Sequence, residues 1–195
     1  LLIVNDSLFY TGADKDFGFW KRDGIQGFTY QSCYPFREST KGLNEEFWGV
    51  YELEDEIVFV SFDSLFIRTG EQLTKIAAPS RFSRSFQSGS LIFLADESEG
   101  LFQFDGVSLT KLFDYPDRQA WRIMGIDREG ESLFIVTRDR GLFRYRDGSL
   151  TPLRQEVSPY LQRDQVFSFT AIEEDHYAFG TILIGGYITD HEGRG

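Results

Sequence analysis

Apolar residues along this chain come in short runs of three to five, broken by polar turns. Leu8-Phe9-Tyr10, Ile57-Val58-Phe59, Leu91-Ile92-Phe93, Leu133-Phe134-Ile135 and Tyr177-Ala178-Phe179 each precede a polar stretch and then a second, aromatic run. The second runs are Gly18-Phe19-Trp20, Ser64-Leu65-Phe66-Ile67, Gly100-Leu101-Phe102-Gln103-Phe104, Gly141-Leu142-Phe143-Arg144-Tyr145 and Gly186-Tyr187-Ile188. Glycine leads four of them, and Ser64 replaces it in the other. Taking 18, 64, 100, 141 and 186 as anchors gives spacings of 46, 36, 41 and 45. A helical solenoid of similar period would need an apolar stripe every 3.6 residues, and none is present.

A recurrence near 42 residues with four short strands per unit is that of a propeller blade. In the third unit the pattern predicts an inner strand at Phe82–Phe86, then Leu91–Ala95, Leu101–Phe104 and Leu109–Phe113. Asp105-Gly106 and Asp147-Gly148 fall between third and fourth strands, where Asp-Gly supplies the positive φ of a tight hairpin turn. Asp23-Gly24 and Thr69-Gly70 occupy equivalent places. Five units follow, at roughly 1–36, 44–78, 82–114, 120–154 and 164–195, forming a single propeller fragment. A blade that is apolar on both faces must bury both against neighbours, which radial stacking does. One segment reads as helical: Ser158-Pro159-Tyr160-Leu161-Gln162-Arg163, with serine as cap and proline at the first helical position.

The chain begins at Leu1 and stops at Gly195, where the fourth strand of the last blade is due. The expectation is an open, incomplete ring cut from a longer polypeptide. Its end blades should expose apolar faces and strand edges, inviting a homodimer through those edges.

Composition agrees with an all-β chain. Twenty Phe, nine Tyr and three Trp suit pleated, half-buried surfaces, and 19 Gly suit turns. The net charge of −11 argues against nucleic acid, which requires a basic face. No apolar run reaches the roughly 20 residues of a membrane helix, so this segment is not expected to insert in a membrane. A lone Cys33 excludes an internal disulfide and a multi-cysteine zinc site. With only His176 and His191 added, no metal or cofactor is expected.

The units resemble the two-component-regulator type of propeller repeat found in periplasmic sensor regions of Bacteroidetes regulators. Tyr10-Thr11-Gly12 followed by Asp16-Phe17-Gly18-Phe19-Trp20 is similar to a signature near the front of such propellers. Ala178-Phe179-Gly180-Thr181-Ile182 with Gly185-Gly186-Tyr187-Ile188-Thr189-Asp190 resembles one of their blades. In that family the propellers precede a triple-tyrosine β-sandwich, a membrane helix and an output module, either a histidine kinase or a helix-turn-helix. The resemblance implies a periplasmic piece of a longer sensor chain, with an oligosaccharide as its possible ligand.

Loops joining second to third strands, and fourth strands to the next blade, usually build the binding rim of a propeller. Aromatics beside charges suit sugars there: rings stack on apolar sugar faces while Arg and Asp bind hydroxyls. Trp121 with Arg118 and Tyr115 is the leading cluster, followed by Arg138 and Arg140, with Asp63 on the corresponding turn of the second unit. The plain alternative for each is a solvated turn residue or an aromatic packed between blades. Asp14-Lys15-Asp16 lacks the glycine and distal glutamate of a calcium loop. His176 reads as an exposed turn residue, and Glu54-Asp55-Glu56 as a solvated hairpin. Cys33 reads as a packed or partly exposed free thiol, and Gly185-Gly186 lacks the residues of a phosphate loop.

The sequence therefore supports a non-catalytic, ligand-sensing propeller of a transmembrane regulator. The alternatives are a protein–protein or dimerisation scaffold and, third, a propeller glycan lyase or hydrolase. The last would need convergent acid and base groups whose separation only a structure can give.

Overall fold

The computed structural model describes residues 1–24, 27–34, 45–117, 119, 121–172 and 176–195. They form five antiparallel sheets, each a meander in chain order. The first holds β1 (Leu2–Asn5), β2 (Leu8–Ala13), β3 (Asp16–Arg22) and β4 (Phe28–Ser32). The second holds β5 (Phe47–Leu53), β6 (Glu56–Ser61), β7 (Ser64–Thr69) and β8 (Gln72–Ala77). The third holds β9 (Phe82–Ser88), β10 (Leu91–Asp96), β11 (Gly100–Phe104) and β12 (Leu109–Phe113). The fourth holds β13 (Ile123–Glu129), β14 (Ser132–Thr137), β15 (Leu142–Arg146) and β16 (Ser149–Leu153). After the helix α1 (Ser158–Asp164), the fifth has three strands: β17 (Val166–Ile172), β18 (His176–Thr181) and β19 (Gly186–Asp190). This is the all-β propeller arrangement, with the sheets in an unclosed series.

Alternation along the second strand of each unit holds neighbouring sheets together. All six residues of β14 are buried. Leu133 and Ile135 face the third sheet among Phe93, Ala95, Leu101 and Trp121, while Phe134 and Val136 face the fifth among Tyr177 and Phe179. Each such side chain contributes about 1.5–3 kcal/mol on burial, so the junctions between sheets carry the stability.

A repeated irregularity shapes the inner strands. β5, β9, β13 and β17 each skip one residue in pairing with the next strand, after Phe47, Phe82, Ile123 and Val166. Such bulges bend the strand and raise its twist. The linkers then lock to the turns between second and third strands. The Phe82 amide donates to the Phe62 carbonyl at 2.7 Å, and the Val166 amide to the Arg138 carbonyl at 2.8 Å.

Two local expectations change. The helix is present, but Val157, with no side-chain cap bond, stands at its N-cap. Ser158 lies inside, its hydroxyl donating to the Leu153 carbonyl at 3.1 Å and accepting the Gln155 amide at 3.1 Å. Val157 and Leu161 are buried beside Val136 and Leu142, so core packing decides where the helix starts. His176, read as a turn residue, is instead the first residue of β18, and it is exposed.

Among the turns, Asp147 and Gly148 both take positive φ, 50° and 75°. At Asp105-Gly106 only the glycine does, and the Asp105 carboxylate accepts the amides of Val107 (2.9 Å) and Ser108 (2.7 Å).

Candidate functional site

The first strands of four successive sheets frame a cleft of about 480 Å³. β5 contributes Tyr51, β9 contributes Ser85, Phe86 and Gln87, β13 contributes Gly125 to Asp127, and β17 contributes Phe169 to Ala171. The register explains this grouping. Tyr51, Phe86, Asp127 and Thr170 each pair with the middle of their second strand, at Val58, Phe93, Phe134 and Ala178. One repeat position thus delivers four different side chains to the axis. The Tyr51 and Ser85 hydroxyls are 2.6 Å apart, and Gln87 Nε2 donates to the Glu52 carbonyl at 2.6 Å. Burial pushes the Tyr51 hydroxyl above the usual phenol range, so it stays a neutral donor and acceptor.

At the rim away from the linkers, Asp127 and Ala171 also border a second cavity of about 640 Å³, with Arg128, Glu129, Arg144, His191 and Glu192. The buried Tyr177 from β18 stacks against Phe134 (centroids 4.6 Å apart) and His191 (4.4 Å). Its hydroxyl reaches Glu129 Oε1 at 2.8 Å and Asp127 Oδ2 at 3.2 Å. Burial first, then Glu129 and Asp127, push that hydroxyl far above its ordinary value, so it holds its proton. Arg144 closes an ion pair on Glu129 at 3.0 Å.

The residues singled out from the sequence lie on the linker rim. Trp121 is 5% exposed and Tyr115 2%, so both rings pack inside the junction of the third and fourth sheets. Trp121 lies 4.5 Å from Phe143 and stacks on Tyr115 at 6.0 Å. Its indole N–H donates to Asp117 Oδ1 at 3.0 Å, and the Tyr115 hydroxyl donates to the Asp96 carbonyl at 2.7 Å. Arg140 lies over the Trp121 ring at 5.5 Å, pairs with Asp117 and donates to Gln119 Oε1 at 3.1 Å. Trp121, Tyr115 and Arg140 thus do come together, as a packed unit. Arg138 is separate, its Nε donating to Gln165 Oε1 at 3.1 Å. Asp63 is exposed on its turn, where its carbonyl accepts the Ala78 amide at 2.8 Å. Arg118 lies outside the described residues, as does part of the loop from Tyr34 to Glu38.

Sequence reasoning passed over the axial residues because they belong to the least regular strand of each unit. The usable signal was variation, with Tyr51, Phe86, Asp127 and Thr170 occupying one place in otherwise similar repeats. Near Asp14, the Asp16 carboxylate serves its turn, accepting the Phe17 amide (2.9 Å) and the Ser32 hydroxyl (2.6 Å). Among the described residues no three His, Cys, Asp or Glu side chains gather as a metal site.

Solved structures with the same fold are numerous and distant in sequence. All of this chain superposes on 57% of BamB from Moraxella catarrhalis, with a TM-score of 0.67 and 10% identity. All of it also superposes on 26% of the extracellular domain of the BT4673 system from B. thetaiotaomicron, at 0.67 and 13%. The N-terminal domain of Nup159 matches 97% of this chain with 57% of its own, at 0.62 and 13%. The fold is an open β-propeller. The chain spans a little over half of BamB and of the Nup159 domain, and about a quarter of the BT4673 domain. No protein-family model matches the chain, and no curated protein matches it significantly.

Proposed function

We propose that this propeller is the ligand-sensing part of an extracytoplasmic, periplasmic region of a transmembrane regulator, and that it works without catalysis. The observation that carries this reading is the likeness of 95–100% of this chain to about a quarter of the extracellular domain of BT4673, named a one-component system in one structure and a hybrid two-component system in another. The repeat signatures around Gly18 and Gly186 point the same way. The finer proposal is an oligosaccharide bound in the axial cleft. Phe86 and Phe169 offer apolar walls there, while Tyr51, Ser85, Gln87 and Thr170 offer hydroxyl and amide groups. Signalling follows from different affinities of that ligand for two arrangements of the intact receptor.

Two measurements test it. A thermal-shift screen of the chain against plant, host and microbial oligosaccharides should yield at least one dose-dependent stabiliser. A ligand at a hundred times its Kd adds about 2.7 kcal/mol. The intact polypeptide should continue into a membrane helix and a kinase or helix-turn-helix. A panel with no stabiliser, on a polypeptide lacking both, sinks the reading.

A second reading, a contact scaffold that includes homodimers, is favoured by the exposed run Ile182-Leu183-Ile184 in the turn between β18 and β19, with the exposed Ile188 on β19. Apolar patches of this kind on a soluble surface mark interaction sites.

A further inference from the structure

We infer that Asp127 anchors the ligand of the axial cleft and sets its charge class. The site takes sugars that present hydroxyl or ammonium donors, amino sugars above all, and rejects uronates. This rests on the oligosaccharide-sensing reading of the same cleft.

Asp127 borders both the axial cleft and the cavity at its mouth. Of the four side chains at its repeat position, Tyr51, Phe86, Asp127 and Thr170, it alone is charged. The mouth cavity carries three carboxylates, Asp127, Glu129 and Glu192, against two guanidiniums, Arg128 and Arg144. Arg144 pairs with Glu129 at 3.0 Å, Arg128 donates to the Gly130 carbonyl at 3.0 Å, and Arg194 holds Glu192 at 2.7 Å. Among the described residues, no basic nitrogen pairs with Asp127. Its polar contact is the Tyr177 hydroxyl at 3.2 Å, the longer of that hydroxyl's two bonds.

A carboxylate accepts at about four lone-pair positions and donates at none. Asp127 therefore has acceptor capacity left for a ligand. A second carboxylate brought close to it meets repulsion, screened but not removed by water. Tyr177 is the positioning residue: its ring is clamped between Phe134 and His191, so its hydroxyl fixes where the Asp127 oxygen sits.

The test is calorimetry on the 195-residue chain at pH 6 and low salt, with a glucosamine trimer, cellotriose and trigalacturonate as probes. The glucosamine trimer should bind at least about tenfold more tightly than trigalacturonate, with cellotriose between them. Asp127→Asn, checked by melting for an intact fold, should collapse that ranking. Tyr177→Phe should narrow it, and Asp55→Asn on the β5–β6 hairpin, which lines neither cavity, should leave it unchanged. Trigalacturonate binding as tightly as the glucosamine trimer, a ranking that survives Asp127→Asn, or no binding by any probe overturns the assignment. If trigalacturonate binds best and Ser85→Trp abolishes its binding, the sensing reading stands while the role given to Asp127 falls.

Discussion

Gly125 lies so close to Phe169 of the next inner strand that a Cβ built on it would come within 2.7 Å of the Phe169 Cβ. Phe169 cannot retreat, because Phe134, Tyr177 and Phe179 surround it with ring centroids 5.3–5.8 Å away. Gly125→Ala should therefore cost about 1–3 kcal/mol, as overpacking does. Gly49→Ala, which meets the Ser85 hydroxyl at 3.1 Å, should cost less. Urea melts of the two variants give the comparison, and equal losses would mean that the close approach of inner strands is not what Gly125 serves.

Asp96 organises the turn between β10 and β11. Its buried carboxylate accepts the amides of Ser80, Arg81, Ser98 and Glu99, each at 3.0 Å, and the Ser80 hydroxyl. Burial pushes this carboxyl up, but the Ser80 hydroxyl and the amides outweigh it and hold it below the ordinary carboxylate range. A depressed native pKa gives stability that is present above about pH 4 and is lost as pH falls below it. Asp96→Ala should cost about 1–3 kcal/mol at pH 7 by stranding those amides. It should also flatten stability between pH 5 and 2, which acid-series thermal melts would show.

How much of this was visible in the sequence depends on the strand. All four strands expected in the third unit are present, Phe82–Phe86 within β9, Leu91–Ala95 within β10, Leu101–Phe104 within β11 and Leu109–Phe113 as β12, and the second and third strands carry the most regular runs. Their alternation is dictated by burial on both faces, which leaves a strong mark. First strands pack against other first strands on both sides, β13 against β9 and β17, and only their edge along the axis is free to vary. Tyr51 and Asp127 therefore looked unremarkable. For Trp121, a linker aromatic beside arginines reads the same whether it faces a sugar or a core. What separates the two is contact with Phe143, 22 residues further along, and local patterning does not contain it. At Ser158 the cap rule lost to packing, since burying Val157 and Leu161 sets where the turn begins.

Tyr177 links pH and stability at the alkaline end. A phenol whose native pKa is raised stabilises the fold fully below its unfolded value, near 10, and progressively less as pH rises above it. Tyr177→Phe should remove about 1.5–3 kcal/mol at neutral pH, as expected for hydrogen bonds to charged groups. It should also make the stability curve shallower above pH 10. An unchanged alkaline slope in guanidinium titrations would place the titrating group elsewhere.

The β18–β19 turn exposes Leu183 at 64% and Ile184 at 66%, and β19 exposes Ile188 at 63%. If this chain associates through these residues, sedimentation at rising concentration should show dimers or larger species. Ile184→Lys with Ile188→Lys should then return it to monomer without lowering the melting temperature. Charges introduced at Val107, an exposed apolar residue in the β11–β12 turn, should leave association unchanged. Equal effects at both places would point to nonspecific aggregation.

Trp121 separates a packing role from a binding role on the linker rim. Its ring is enclosed by Tyr115, Phe143 and the Arg140 guanidinium, and its N–H is taken by Asp117. Trp121→Ala would leave a cavity at the junction of the third and fourth sheets, and large-to-small changes of this kind cost about 3–5 kcal/mol. Trp121→Phe keeps most ring contacts and loses the Asp117 bond, so it should cost distinctly less. Arg140→Ala removes a partly exposed ion pair and should cost about 1 kcal/mol or less. In thermal melts the order Trp121→Ala, Trp121→Phe, Arg140→Ala should run from most to least damaging. If the proposed oligosaccharide site is in the axial cleft, the Phe and Arg140 variants should leave any affinity found there unchanged. If Trp121→Ala melts like the parent chain while losing ligand, the ring belongs to a binding surface instead of the junction.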